Sequence, residues 1–234
     1  LEELQALRLA PDKVSDPSHR KPGSKKRRPA RSKLSKIGQT LARLPLEPRI
    51  GRLLIAGRDN NCMTEMLVLC AALSTVDPRE RPQAKRDEAD TLHKRFTDQR
   101  SDFVTLLKLW KYVKQKRTSL STSAFQKMMR REFLAPQRLN DWFDVQQQLK
   151  TIAADSGFEL NTKPASFESI HRALLTAFAT NVGVHSDKGL FNGTRQRQFR
   201  IFPGSGLANS KSGSKAKSIV AAELIETGKV YARL

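Results

Sequence analysis

The sequence lacks any apolar run of the roughly 18 residues that a membrane-spanning helix needs. It also has only two cysteines, Cys62 and Cys70, and both lie inside one apolar stretch. We predict that they are small core residues in a reducing compartment, because a disulfide framework needs more of them. No signal peptide is present, so we expect a soluble protein of the cytoplasm. Because the first residue is Leu1 rather than Met, we expect a segment of a longer protein.

Catalytic motifs are missing as well. Gly228-Lys229-Val230 has no earlier glycine at the spacing of a phosphate loop. Gly204-Ser205-Gly206 lacks the spacing of a nucleophile elbow and does not link a strand to a helix. The histidines show no spacing typical of metal ligands, and they are His19, His93, His171 and His185. The sequence therefore predicts no catalytic site, no metal site and no cofactor held by this chain.

Acidic residues are absent from two stretches that carry most of the net charge of +20. Residues 20–36 contain nine basic residues, and residues 188–217 contain seven. Clustered cations repel one another in the folded chain, whereas a polyanion that binds them releases its counterions, which favours binding. We therefore expect a nucleic acid as the partner, and no membrane.

The candidate binding residues fall into two groups. Residues 11–33 are rich in Pro, Gly, Ser and Lys, so we expect this segment to be disordered and also to bind; its candidate residues are Lys25, Lys26, Arg27, Arg28, Arg31 and Lys33. In the second group, arginine forks are suited to phosphate oxygens and glycines allow close approach of backbone amides. Its candidates are Arg195, Arg197, Arg200, Gly204, Ser205, Lys211, Lys215 and Lys217.

Apolar residues at three-to-four spacing predict a helical bundle in the middle of the chain. One helix covers residues 61–76 and is closed by Asp77-Pro78, and a second keeps its apolar face from Leu92 through Val113. A third covers 139–152, and a fourth is capped by Ser166 and ends at Gly183. The two tryptophans lie on these apolar faces, so core positions are predicted for Trp110 and Trp142.

After Gly183 the pattern changes to short runs typical of strands. "FRIF" (199–202) and "IVAAELIE" (219–226) are separated by residues 204–218, whose Gly, Ser and Lys content predicts a loop. Phe199 and Ile201 would share one face of a strand, with Arg200 on the other. This arrangement is typical of a small barrel such as the five-stranded oligonucleotide-binding (OB) fold. We expect only about three of its strands before Leu234, and hence a truncated barrel.

Four stretches resemble, in the same order, the C-terminal accessory region of bacterial HrpA-type DEAH-box RNA helicases. They are "LSKIGQTLARLPLEPRIGRLL" (34–54), "LCAALSTVDPRERP" (69–82), "RSDFVTLLKLW" (100–110) and "FRIFPGSGL" (199–207). Ser35-Lys36 stands where the family often has Thr-Pro, but Ser35 can still serve as a helix N-cap.

The resemblance implies a mainly α fold in three parts. Residues 1–49 form the end of a winged helix with a basic insertion at about 11–33, residues 50–183 a ratchet-like helical bundle, and residues 184–234 the start of the OB barrel. It further implies an upstream RecA-like motor that uses ATP and Mg, while this region closes over single-stranded RNA through sequence-independent backbone contacts. We also expect a ribosome or ribonucleoprotein as a further partner.

Two alternatives stay open. Gly204 and Gly206 would form an ordinary turn, with solvated arginines before it, if the second group had no binding role. The chain would be a freestanding RNA-binding or ribosome-associated protein if no motor accompanied it.

Overall fold

The computed structural model describes residues 4–8, 33–187, 189–208, 210–226 and 230–233. Most of the predicted basic insertion lies outside this range, including Lys25, Lys26, Arg27, Arg28 and Arg31. Within the insertion only Lys33 is described, and its side chain is exposed.

A small amino-terminal unit precedes the bundle. Strand β1 (Leu7–Arg8) pairs antiparallel with β2 (Lys33–Leu34), and α1 (Lys36–Leu41) follows at once. Ser35 caps α1 as predicted, because its hydroxyl accepts a hydrogen bond from the Gly38 amide at 3.0 Å. The same hydroxyl donates to the Gln5 carbonyl at 2.6 Å, which ties α1 to the residues just before β1.

Seven helices build the bundle in the described part of the chain: α2 (Pro48–Asp59), α3 (Met63–Leu73), α4 (Arg86–His93), α5 (Asp102–Ser119), α6 (Thr122–Arg131), α7 (Pro136–Asp155) and α8 (Phe167–Ala177). Helix α3 lies at the centre and packs against α2, α5, α7 and α8. None of the helices in the described ranges is long and apolar enough to cross a membrane.

The core of the bundle confirms the predicted apolar faces. Trp110 and Trp142 are buried with ring centroids 5.0 Å apart, and the Trp142 indole donates to the Val68 carbonyl at 3.0 Å. Cys62 and Cys70 are buried free thiols. Burial, with the charge of Glu65 nearby, raises the pKa of Cys62 to about 11, so the thiol is protonated at neutral pH and packs as a core side chain.

Two helix predictions were wrong in detail, and one helix was not predicted. The face predicted from Leu92 to Val113 is interrupted, because a 3-10 turn (Lys94–Phe96) follows α4 and the Ser101 hydroxyl caps a new helix by accepting from Val104. Helix α6 was missed, since only Phe125 and Met129 of its ten residues are buried. The last helix ends six residues before Gly183.

Within the described residues, the strand region forms a single six-stranded sheet rather than about three strands. Its strands are β3 (Val182–His185), β4 (Leu190–Gly193), β5 (Gln198–Ile201), β6 (Ser218–Val220), β7 (Glu223–Glu226) and β8 (Val230–Arg233), in the order β6-β3-β4-β5-β8-β7. Neighbours are antiparallel except β5 and β8, which are parallel. A short helix α9 (Lys211–Ser214) lies within the predicted loop.

Two side-chain arrangements explain these differences. Gly183 lies in β3 over the Phe199 ring, where a Cβ atom would collide with the aromatic edge, so its role is close packing rather than a helix end. The run "IVAAELIE" splits into β6 and β7 because Asn181 bonds both alanines between them: the Ala221 amide donates to the Asn181 carbonyl, and the Asn181 side-chain amide donates to the Ala222 carbonyl.

Candidate nucleic-acid interface

The register of the sheet separates the predicted cations into two groups. Strand β4 pairs with β5 so that Leu190 faces Arg200 and Asn192 faces Gln198. The connection that carries Arg195 and Arg197 therefore lies at one end of this strand pair, and Arg200 lies at the other. We call Arg195 and Arg197 the hairpin-tip arginines.

The hairpin-tip arginines occupy a strained turn. Arg195 has φ 56° and the next residue, Gln196, has φ 59°, so two consecutive residues with side chains adopt the left-handed conformation. This conformation costs free energy in any residue other than glycine. The turn is closed by the Gly193 amide, which donates to the Arg197 carbonyl at 2.7 Å, and both arginine side chains are exposed.

Arg200 lies on the face of β5 opposite Phe199, as predicted from the alternation. The Phe199 ring is buried against Phe191, with ring centroids 6.3 Å apart, whereas Arg200 is half-buried. Its Nη1 atom lies 3.7 Å from the position that a side chain on Gly189 would take. The guanidinium therefore extends over the turn between β3 and β4.

Three lysines accompany Arg200 at its end of the sheet. They lie on the connection from the end of β5 to the start of β6, and all three side chains are exposed: Lys211, Lys215 and Lys217. The Lys217 carbonyl accepts from the His185 amide at 2.8 Å, which fixes this connection beside β3. We call Arg200, Lys211, Lys215 and Lys217 the loop-end cations.

The Pro-Gly-Ser-Gly turn (203–206) contacts the bundle from the six-stranded sheet, which with its connections we call the barrel. The Gly206 amide donates to Asp102 Oδ1 at 2.9 Å, and the Ser205 side chain, which is buried, also bonds this carboxylate. Burial raises the pKa of Asp102, although these two hydrogen bonds oppose the increase. The Gly206 amide and the Ser205 side chain are thus engaged inside the protein, while Gly204 is exposed.

A cavity of about 820 Å³ opens between this turn and the bundle. Phe178, Phe202 and Val76 supply apolar walls, and Gly204 and Ser205 form part of the rim. Four arginines line it, namely Arg49, Arg79, Arg81 and Arg138. A second cavity of about 340 Å³ shares Arg79, Arg81 and Gly204 with it.

Carboxylates hold two of these arginines in place, and a backbone carbonyl holds a third. Arg79 pairs with Asp77 at 2.6 Å, Arg81 pairs with Asp90 at 2.7 Å, and Arg138 donates to the Asp77 carbonyl at 3.1 Å. Burial opposes the charge of Arg79, but the hydrogen bond and charge of Asp77 raise the guanidinium pKa overall. Arg79 therefore stays charged, and the three guanidinium groups are held in a fixed arrangement.

Sequence reasoning missed Arg79 and Arg81. They belong to the stretch "DPRERP" (77–82). Its prolines indicate the end of a helix, and the arginines between them were not considered as binding residues. The usable signal was the pair of arginines in a short segment between prolines, which holds side chains on a rigid loop.

The smaller cavity also borders a buried histidine. His93 Nε2 donates to the Glu132 carbonyl at 3.0 Å, and His93 Nδ1 is buried without a hydrogen-bond partner in the described residues. Burial first, and the charges of Arg79 and Arg81 second, lower the pKa of His93. In the described part of the chain, no cluster of three or more His, Cys, Asp or Glu residues is arranged to bind a metal ion.

Comparison with known families matches both halves of this interface. Residues 47–106 match the family described as "Helicase associated domain (HA2), ratchet-like", and residues 170–234 match the "Oligonucleotide/oligosaccharide-binding (OB)-fold". A ratchet-like bundle followed by an OB fold defines the accessory region of a helicase.

Full-length relatives narrow this class. The chain is 36% identical over 203 residues to the ATP-dependent RNA helicase HrpA of Escherichia coli. The matched region covers 86% of this chain and 15% of the length of that relative. The chain is 34% identical over 202 residues to the HrpA homolog of Haemophilus influenzae, again 15% of the relative. The mouse ATP-dependent RNA helicase DHX33 is 25% identical over 201 residues, or 27% of its length. The chain belongs to the C-terminal region of the HrpA-type DEAH-box RNA helicases.

Proposed function

We propose that this chain holds single-stranded RNA for an ATP-dependent DEAH-box RNA helicase. The observation that carries the proposal is the gathering of the loop-end cations at one end of the sheet. There β5 leads through Phe202 into the turn that lines the cavity of about 820 Å³. The exposed lysines and the Arg200 fork offer positive charge at the end of β5 where the chain enters the Pro-Gly-Ser-Gly turn. Such groups bind phosphate oxygens and carry no base information, so the binding is independent of sequence.

The bundle and the barrel act together in this proposal. The turn at 203–206 is fixed to α5 through Asp102, so the loop-end cations keep a constant position relative to Arg79 and Arg81. RNA crossing the barrel end would then meet a second row of fixed cations on the bundle. This geometry suits closure over a single strand, since rigid cations lose little entropy when they bind phosphate.

The hairpin-tip arginines form a separate part of the proposed surface. The left-handed turn places the exposed Arg195 at the end of the sheet remote from the loop-end cations. Strain of this kind persists where the surrounding structure imposes it, and it concentrates at functional positions. We propose that the hairpin-tip arginines contact the same RNA molecule at a position further along its backbone.

The motor belongs to the full-length protein. The chain spans 15% of the HrpA relatives. We propose that RecA-like domains elsewhere in the protein bind ATP and Mg, and that hydrolysis there moves RNA past this region. The complete open reading frame tests this step: a phosphate loop and an Asp-Glu-Ala-His box support it, and their absence would favour a freestanding RNA-binding protein.

Sequence-independent binding is tested by comparing homopolymers. We expect single-stranded oligouridylate and oligoadenylate of equal length to bind with similar affinity and equal salt dependence. A strong preference for one base that persists at high salt would contradict backbone binding.

A further inference from the structure

The hairpin of α5 and α6 carries a third concentration of positive charge. Residues 103–131 contain eight basic residues and no acidic residue. They are Lys108, Lys111, Lys114, Lys116, Arg117, Lys127, Arg130 and Arg131. The whole stretch is described, and it lies in the bundle rather than in the barrel.

Helix periodicity places most of these cations on outer faces. On α5, Lys108, Lys111 and Lys114 are three residues apart and exposed, on the side away from the buried Leu109 and Val113. On α6, the exposed Lys127, Arg130 and Arg131 lie opposite the buried side chains of Phe125 and Met129. Two neighbouring helices therefore present cations to solvent.

Contacts within the protein account for some of the eight cations. Lys108 binds Asp98 at 2.9 Å, Lys116 lies over the Tyr112 ring, and Arg117 lies 4.3 Å over the Phe143 ring. Arg130 and Arg131 occupy the last turn of α6, where cations stabilise the helix end.

Lys111, Lys114 and Lys127 have no such explanation. In the described residues, none of the three has a carboxylate within 4.0 Å, and none lies in the last turn of its helix. Like charges on adjacent positions of a helix surface are destabilising. Three uncompensated lysines on one hairpin are thus a cost to folding that an external anion would remove.

This face is well separated from the barrel junction. Asp102, the first residue of α5, contacts the Pro-Gly-Ser-Gly turn, and Lys114 lies twelve residues further along the helix. At 1.5 Å per residue this places Lys114 about 18 Å along the helix axis from the junction.

We propose that the α5–α6 hairpin is a second RNA-binding surface, which holds phosphates at the end of the bundle away from the barrel. RNA fits better than an acidic protein, because a stable protein interface needs an apolar centre. The exposed large apolar residues of the described chain are Leu34, Val76, Leu160, Leu175, Val184 and Phe202, and none lies in the hairpin. The choice of RNA as the polyanion rests on the proposed function.

Substitution of the three unexplained lysines tests the proposal. The variant Lys111→Gln/Lys114→Gln/Lys127→Gln removes three exposed charges without touching the core. A matched control, Lys150→Gln/Lys163→Gln/Arg172→Gln, removes three exposed cations from elsewhere on the bundle. Both are compared with the unchanged chain by titration of single-stranded oligouridylate over a range of salt concentrations, with circular dichroism to verify folding.

The hairpin variant should lower the magnitude of the slope of log affinity against log salt by about 2. This value is the sum for three phosphates that are no longer neutralised, at roughly 0.7 each. A tenfold increase in salt should then cost the unchanged chain about a hundredfold more affinity than it costs the variant. The control should change the slope much less.

Equal slopes for hairpin variant and control would overturn the proposal, since they indicate only an effect of net charge. Unchanged RNA binding together with lost binding of polyglutamate would overturn it in favour of an acidic protein partner. The hairpin variant is also combined with Lys211→Ala/Lys215→Ala/Lys217→Ala. This combination distinguishes failure of the hairpin proposal from failure of the proposed function. If only the barrel lysines matter, the hairpin proposal fails; if only the hairpin matters, the barrel site fails.

Discussion

The Gly206 amide donates a hydrogen bond to Asp102 Oδ1 at 2.9 Å, and this contact joins the barrel to the first turn of α5. The carboxylate lies where the free amides of a helix N-terminus favour negative charge. The backbone at Gly206 also lies close to the bundle, since a Cβ atom there would lie 2.5 Å from the Asp98 carbonyl oxygen. The orientation of the loop-end cations depends on this contact.

The variant Gly206→Ala should weaken the junction. The added methyl group has no space between Asp98 and Thr97, so we expect a loss of about 1–3 kcal/mol in the free energy of unfolding. The control Gly204→Ala meets only the Phe202 ring and the end of Arg81, at 3.0 and 3.2 Å, and should cost less. Denaturant unfolding measures both. Equal stability of the two variants would show that the junction is not closely packed.

Stability should fall as the pH decreases from 7.5 to 5.5. Burial lowers the pKa of His93 and of His171 in the folded protein, so the unfolded chain binds more protons over this interval. The neutral histidines therefore stabilise the fold above the unfolded pKa of about 6.5, and this contribution is lost as pH falls towards the lowered folded pKa. Protonation of His93 would create a buried N–H at Nδ1, which has no partner in the described residues.

Chemical unfolding at several pH values checks this expectation. His93→Gln should reduce the pH dependence of the free energy of unfolding. A stability that is constant between pH 7.5 and 5.5 would contradict the assignment of a neutral His93.

Deletion of residues 20–33 should weaken RNA binding without affecting the fold. This segment carries eight basic residues and no acidic residue. Removal of cations from a segment rich in Pro, Gly and Ser lowers affinity and flattens the salt dependence, while the melting temperature stays nearly constant. A large decrease in melting temperature would show that the segment is packed structure.

The isolated chain should hydrolyse no ATP. Its sequence has no phosphate loop, so RNA should not stimulate hydrolysis by purified residues 1–234. Hydrolysis that persists through further purification steps would contradict this prediction.

The helical half of the fold follows closely from the sequence because each long helix buries a continuous stripe. Leu139, Trp142, Leu149 and their neighbours keep three-to-four spacing over about four turns of α7, so its position was predictable. Helix α6 has a stripe of only two buried residues, which is too short to distinguish from chance. The break before α5 depends on the Ser101 cap, which overrides the periodicity.

The strand half was less predictable. β3 and β4 have four residues each, and glycine occupies the positions of Gly183 and Gly193, where the Phe199 ring packs against them. Such strands have no clear alternation of apolar side chains, because the Phe199 ring of β5 fills the core at the glycine positions. The alternation of Phe199, Arg200 and Ile201 was visible and correctly placed Arg200.

The candidate site was predictable as a set of cations but not as an arrangement. The register of the strands decides at which end of the sheet each cation lies. Arg195 and Arg200 are separated because of the pairing between β4 and β5, which cannot be derived from the sequence. The engagement of Ser205 and Gly206 with Asp102 joins residues about a hundred positions apart. The position of Arg79 and Arg81 in the same cavity lining as this turn was likewise not predictable from the sequence.

The measurement that tests the central claim most directly is the salt dependence of single-stranded RNA binding by Lys211→Ala/Lys215→Ala/Lys217→Ala and by Arg200→Ala. The account predicts that the slope falls by roughly 0.7 for each phosphate that is no longer neutralised, equally for oligouridylate and oligoadenylate. Arg200→Lys should recover only part of the affinity, because an ammonium keeps the charge without the fork. The control Lys150→Gln/Lys163→Gln/Arg172→Gln should change the slope much less. Folded variants that bind both RNAs with unchanged affinity and slope would contradict the claim.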